Sequence, residues 1–340
     1  MPKYVIHIGP PKTGSKYLQS HLFHLRDLLL RDGICYPDNW WTKPDQIMHS
    51  PLLAKLQSGD TADLSKTFAE LNAAGHKVIV LSCEGFDDLS AQHLEPLGEA
   101  IGPHPVEIVY YCRRWAERIP SDWQQHIKMG QFATFPEFYA AYLRAPTHTA
   151  AVNYSLVWRN YADVFGRSSL RIVPYNTLRD RRIDIFQHFC ETFLGWQGDA
   201  ALDEGLIQRN ISPDLYDTEI LRVLNYLYFR ESGETSLKMR VKFLELRPQL
   251  NTRELIELMS ADVAELTVTD ADEPFDDAFS AMIAYSDCLV SREFGDQLFE
   301  RRRVGFRYVR SNYLVESAAV RELSELYAFI ERTPVVHPEL

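Results

Sequence analysis

The sequence predicts an α/β protein, with a central parallel sheet flanked by helices and a helical C-terminal region. Three observations lead to this class. Short β-branched apolar runs recur through the first 200 residues, with helical stretches between them. The first run passes through a glycine-containing loop directly into a helical pattern. Beyond about residue 200 the strand signal fades and helical apolar spacings take over.

Residues 4–8 (YVIHI) are short, apolar and β-branched, and read as a buried strand. From Ser15 the apolar positions Tyr17, Leu18, Leu22, Leu25, Leu28 and Leu29 recur at three- and four-residue spacings, and Asp32-Gly33 ends that helix. Residues 77–81 (KVIVL), 106–112 (VEIVYYC) and 170–175 (LRIVPY) read as three further strands. Strands alternating with helices imply a parallel sheet, and ligands of such sheets bind beyond the C-terminal ends of the strands. The loop after Ile8, Glu84 and Arg113 all fall at such ends. Residues 220–228, 254–259 and 315–330 read as helices. The expected organisation is an α/β core over residues 1–200 and a mainly helical subdomain over 201–340 packed on it.

At 340 residues, 46% of them hydrophobic and 24% charged, the chain has room for a sizeable core and does not read as disordered. A net charge of -11 argues against nonspecific binding to nucleic acid or to an anionic membrane, so any anion site must concentrate positive charge locally. Cys35, Cys83, Cys112, Cys190 and Cys288 are scattered and form no CxxC, which fits reduced thiols better than a disulfide framework or a zinc site. No apolar run reaches the length of a membrane span, and the N-terminus enters a strand without a signal-peptide core. A cytoplasmic location is therefore expected. Between Arg253 and Arg292 there is no Lys or Arg, and Arg301, Arg302, Arg303, Arg307 and Arg310 follow. These arginines either pair with the acidic segment or face an anionic ligand.

Residues 9–16 (GPPKTGSK) carry the chemistry of the first loop. A helix N-terminus offers unpaired amides and partial positive charge, which suits a phosphate. Gly14 lets the backbone approach, Thr13 and Ser15 add hydroxyls, and Lys12 and Lys16 add charge; a plain strand-to-helix turn is the alternative. After the third strand, Arg113 and Ser121 stand eight residues apart, so a connecting helix would let both approach one anion. Ser121 and Gln124 also have capping-box spacing, with Pro120 interrupting the helix.

HIGPPKTGSKYLQ resembles the 5′-phosphosulfate loop of the sulfotransferases that use 3′-phosphoadenosine 5′-phosphosulfate (PAPS), above all the soluble bacterial type. YYCRRWAERIPSDW resembles their 3′-phosphate motif, and the resemblance covers residues 4–195. It implies a P-loop-like sulfotransferase fold, PAPS as donor and its desulfo form PAP as product. It assigns Lys12 to the phosphosulfate, Thr13, Gly14 and Ser15 to the 5′-phosphate, and Arg113 and Ser121 to the 3′-phosphate. Lys16 stands where the family has Thr or Ser; it either adds a charge contact to that set or points to solvent. The implied reaction is in-line transfer of a sulfuryl group to a hydroxyl of a carbohydrate or other small acceptor, whose pocket the C-terminal region would help to wall.

The family takes the acceptor's proton with a His or a Glu. Glu84 is the first candidate here, with a loop-bonding carboxylate as the alternative, and His49 is the second, with an ordinary surface or core histidine as the alternative. Trp40, Trp41, Trp123 and Trp158 are either stacking surfaces for the acceptor or core residues. His21 and His24 lie three apart on a helix without a third ligand, so no metal site is expected. Two other classes remain open. A P-loop kinase or NTPase wants Lys directly after Gly14, where this chain has Ser15. A noncatalytic nucleotide-binding scaffold would keep Lys12, Arg113 and Ser121 without an acceptor site.

Overall fold

The computed structural model describes residues 1–41, 43, 46–113, 115–144, 154–198, 214–269 and 303–334. These fall into two compact units: residues up to 115 together with 154–198, and the remainder. In chain order the first unit runs β1 (Lys3–His7), α1 (Ser15–His24), α2 (Arg26–Arg31), β2 (Ile34–Cys35), α3 (Ser50–Ser58), α4 (Leu64–Ala73), β3 (Val78–Ser82), α5 (Ala91–Ile101) and β4 (Val106–Cys112). The chain then passes through α6 (Trp115–Lys128) and α7 (Phe135–Arg144) of the second unit. It re-enters the first with α8 (Tyr154–Phe165), β5 (Leu170–Pro174), α9 (Tyr175–Asp180) and α10 (Ile185–Phe189).

The five strands form one parallel sheet in the order β2-β3-β1-β4-β5. Its strands are apolar on both faces because both are covered. Tyr4, Ile6, Ile79, Leu81, Ile108 and Tyr110 pack on one side against α3, α4, α5 and α8. Val5, Val80, Val109 and Tyr111 pack on the other against α1, α2, α9 and α10. From β1 the chain moves to β2 and β3 on one side of the sheet, whereas from β4 it moves to β5 on the other. The crevice beyond the C-terminal ends of β1 and β4 is therefore the topological switch point, the place where such sheets bind ligands.

The four strands expected from sequence are present within a residue or two of their expected ends. β2 is an addition: two residues, Ile34 and Cys35, paired with Val78 and Ile79. The first helix is broken at Leu25 into α1 and α2. Pro120 does not interrupt α6, so Ser121 is an interior residue of that helix and not its N-cap. The compact units also divide the chain differently from a single boundary at residue 200, because α6 and α7 belong with the C-terminal part.

The second unit adds helices Leu215–Ser232, Lys238–Leu246, Arg253–Ser260 and Ser317–Arg332. It also holds an antiparallel pair, β6 (Val263–Thr269) and β7 (Arg303–Val309), in a region expected to be mainly helical. This pair accounts for part of the arginine cluster. Arg307 stands opposite Glu265 in the register, and Arg310 Nε lies 3.1 Å from Asp262 Oδ1. Arg301, Arg302 and Cys288 lie outside the described residues. Inside the unit, Arg222 donates to the buried Glu219 at 2.6 Å, and the Tyr313 hydroxyl donates to the same carboxylate at 2.9 Å.

The four tryptophans serve packing, the second of the two roles their sequence left open. Trp40 and Trp158 are buried in the core beside α4 and α8. Trp41 packs on Phe23 and Tyr36. Trp123 is buried in the second unit against Phe135 and Phe306, with its Nε1–H donated to the Ala133 carbonyl. Among the described residues no helix is long and apolar enough to cross a membrane.

Candidate functional site

The loop leaving β1 is shaped by two left-handed residues, Lys12 (φ 68°) and Gly14 (φ 80°). Ile8 N–H donates to the Val109 carbonyl at 3.0 Å, which keeps the loop's base tied to β4. Gly14 is the N-cap of α1 and provides no side-chain cap. The first hydrogen bond of the helix is Leu18 N–H to the Gly14 carbonyl, so the amides before it have no acceptor within the helix. Thr13 and Ser15 are buried, and both hydroxyls donate to the Pro10 carbonyl, at 2.8 and 3.1 Å. Their hydroxyls thus close the loop on itself. Lys12 is half-buried and Lys16 is exposed.

Arg113 follows the last residue of β4. Its Nη1 donates to the Lys12 carbonyl at 2.9 Å, and its guanidinium lies 6.0 Å from the centre of the Tyr175 ring. Its own carbonyl accepts the Tyr154 hydroxyl. The loop after β1 and the residue after β4 are therefore joined across the switch point by a direct hydrogen bond. Tyr175, the first residue of α9, also borders Gly14, where an added Cβ would sit 3.6 Å from its ring. Sequence reasoning passed over Tyr175, although it stands at a strand's C-terminal end as Glu84 and Arg113 do.

Glu84 lies in the turn after β3, half-buried. Burial pushes its carboxyl above the ordinary range, and the positive charges of Lys16 and Lys12 pull it partly back. The carboxylate thus shares the field of both loop lysines. The first unit brings together Lys12, Thr13, Gly14, Ser15, Lys16, Glu84 and Arg113. Ser121 belongs to the second unit, half-buried on α6.

His49 does not keep its expected place as a candidate base. It is fully buried, its Nδ1 accepts the Ser82 amide at 3.1 Å, and its Nε2 donates to the Pro37 carbonyl at 2.9 Å. Burial lowers its pKa to about 4. Its one lone pair is engaged by backbone, so it pins the segment between β2 and α3 to the end of β3. A different histidine, His7, lies at the base of the loop, buried at the end of β1 with Nδ1 2.7 Å from Ser82 Oγ. Its position inside an apolar strand hid it from sequence reasoning. Among the described residues no group of His, Cys, Asp and Glu side chains is placed to hold a metal ion.

The arrangement can bind an anion by backbone amides, two lysines and an arginine, beside a carboxylate with a raised proton affinity. No protein-family model matches this chain, and no curated protein matches it. Among solved structures it is similar to a sulfotransferase from Alicyclobacillus acidocaldarius, with 16% identity and a TM-score of 0.39, over 67% of this chain and 96% of that one.

Proposed function

We propose that this protein is an enzyme that moves a sulfuryl group from PAPS to a hydroxyl of a carbohydrate or other small acceptor. The observation that carries the reading is the switch-point crevice, where the uncapped N-terminus of α1, Lys12 and Arg113 meet and Glu84 shares their field. A donor with anionic groups at its 5′ and 3′ positions would suit such a site, because the loop lysines and Arg113 supply positive charge in two places joined by a hydrogen bond. PAPS, when bound, supplies a sulfuryl group on a phosphosulfate anhydride. Lys12, Lys16 and the loop amides of Thr13, Gly14 and Ser15 would hold its 5′ end; Arg113 would hold its 3′-phosphate.

The chain's own residues then divide the work. The Lys12 ammonium stabilises negative charge that grows on the departing phosphate oxygen, a contribution largest where it is made only in the transition state. The Glu84 carboxylate accepts the proton of the acceptor hydroxyl, and its raised pKa makes it a stronger base than an exposed glutamate. Arg113 fixes the Lys12 carbonyl and so the height of the loop over the crevice. The described cysteines are free thiols, which supports action in the cytoplasm.

Isothermal titration with PAP tests the reading. Saturable binding that is lost in Arg113→Ala and weakened less in Lys12→Ala supports it. A folded wild-type protein that does not bind PAP, or that binds magnesium ATP more tightly, refutes it.

A further inference from the structure

Behind the loop runs a buried polar chain that the proposed reaction does not use. His7 Nδ1 lies 2.7 Å from Ser82 Oγ, and Gln19 on α1 donates its Nε2–H to the same oxygen at 3.1 Å. All three side chains are fully buried. His7 Nε2 has no hydrogen-bond partner among the described residues, an expensive omission for a buried nitrogen. Gly9 tells where that nitrogen faces. A Cβ on residue 9 would lie 2.5 Å from His7 Nε2 and 2.4 Å from Ser15 Oγ. The two atoms thus flank one point, and their separation cannot exceed the sum of those distances. Only the absence of a side chain at residue 9 keeps the gap between them open.

The hydrogen bonds have a direction. Ser82 Oγ accepts from Gln19, and its single proton is left to donate. Its 2.7 Å contact with Nδ1 has the length of a hydroxyl donor's bond, shorter than the usual N–H bond. The Tyr36 hydroxyl gives its own proton to the Ile47 carbonyl at 2.7 Å and so approaches Ser82 as a rival acceptor, but the short hydrogen bond of Ser82 Oγ is the one to Nδ1. With Ser82 donating to Nδ1, the neutral imidazole carries its proton on Nε2, facing Ser15. Burial favours that neutral form. In the structure the Ser15 hydroxyl is turned to the Pro10 carbonyl and does not accept from Nε2, although its lone pairs could do so from another orientation.

We infer that Gln19, Ser82 and His7 form a relay that donates from His7 Nε2 to Ser15 Oγ when the Ser15 hydroxyl turns from Pro10 to an anion in the loop, with Gly9 as the gap through which the two groups meet. This rests on the anion-binding reading above and deepens it. His7 is a positioning residue: it orients Ser15 and does not touch the ligand. The unpartnered donor beneath the loop gains its acceptor only in the occupied state, so binding the anion relieves a cost built into the empty one.

The experiment has two arms. In the free protein, nitrogen-15 NMR of the imidazoles is expected to find His7 as the Nε2–H tautomer, and Ser82→Ala to abolish that preference; an Nδ1–H tautomer in the wild type overturns the relay. In the second arm, PAP is titrated into His7→Phe, Ser15→Ala and the double variant, each checked for fold by near-ultraviolet circular dichroism. His7→Phe is expected to weaken PAP about tenfold, the worth of one buried hydrogen bond. The double variant is expected to bind like Ser15→Ala alone. His7→Gln, which keeps a donor, is expected to recover part of the loss. Unchanged affinity in His7→Phe, or losses that simply add, overturn the relay. A wild type that fails to bind PAP overturns the sulfuryl-transfer reading itself, whereas an Nδ1–H tautomer with PAP bound normally overturns the relay alone.

Discussion

Consider His49→Ala. The substitution removes the acceptor of the Ser82 amide and the donor to the Pro37 carbonyl, both inside the core. A buried backbone group left without its partner costs about 1–3 kcal/mol, so the two together cost about 3 kcal/mol. The ring also packs edge-on against Tyr36 with centroids 4.8 Å apart, and its loss leaves a cavity worth about 1–2 kcal/mol more. A total of about 4 kcal/mol is a large part of a typical domain's stability and corresponds to a fall of about 2 M in the urea midpoint. Urea unfolding followed by tryptophan fluorescence reads it. The wild type should also weaken in acid. His49 titrates near 6.5 when unfolded and about 4 when folded, so the unfolded chain takes up the proton first. Stability from this group is complete above its unfolded pKa and falls by about 3 kcal/mol as pH drops through the window. The alanine variant should show a smaller fall over the same range, with His7 contributing equally to both proteins. A variant within about 0.5 kcal/mol of wild type, or a stable variant that binds PAP but no longer turns over, would refute the structural assignment of His49.

Lys12→Ala should lower the sulfuryl-transfer rate by about 10²–10³, with a smaller effect on PAP affinity; steady-state kinetics beside calorimetry separates the two. Turnover should fall as pH drops through the raised pKa of Glu84, because the reaction uses the carboxylate, and Glu84→Gln should abolish that acidic limb along with most activity. Arg113→Lys should weaken PAP by more than tenfold, since a lysine lacks the fork that serves the Lys12 carbonyl and an anion together; unchanged affinity would remove Arg113 from the site. Arg222→Ala should cost about 3–5 kcal/mol by leaving Glu219 buried without its 2.6 Å partner, again read by urea unfolding, and a loss below about 1 kcal/mol would contradict the burial of that pair.

The core of the first unit was legible because its strands are buried on both faces. Runs such as VIVLS and VEIVYYC admit little else, and the loop between Ile8 and Ser15 announced itself by Gly14 and two lysines. β2 was not legible, since two residues carry no period. The β6–β7 pair was missed for a different reason. Its second strand reads RVGFRYV, where arginines and apolar residues alternate with period two, and the arginines drew attention as a charge cluster. Pro120 misled because proline usually breaks a helix; here α6 runs through it at its sixth residue despite the missing N–H. In the site, Lys12, Glu84 and Arg113 were visible as polar residues at strand ends. The distinction between His49 and His7 was not, because which ring nitrogen meets backbone and which meets a gap is decided by contacts over distances such as Ser82 to His7 in sequence.

Lys12 holds a left-handed backbone with φ 68°, a conformation that disfavours any residue with a Cβ by about 1–2 kcal/mol. Replacement by glycine would relax that backbone while discarding the amine, whereas replacement by alanine would discard the amine and keep the strain. The pair of variants therefore separates what the charge does from what the chain conformation does. It also gives the position a direction under drift: a population selected only for a well-folded protein would move away from lysine here, toward glycine, and become sturdier as it lost its chemistry. A lysine retained at residue 12 is thus held against the stability of its own fold.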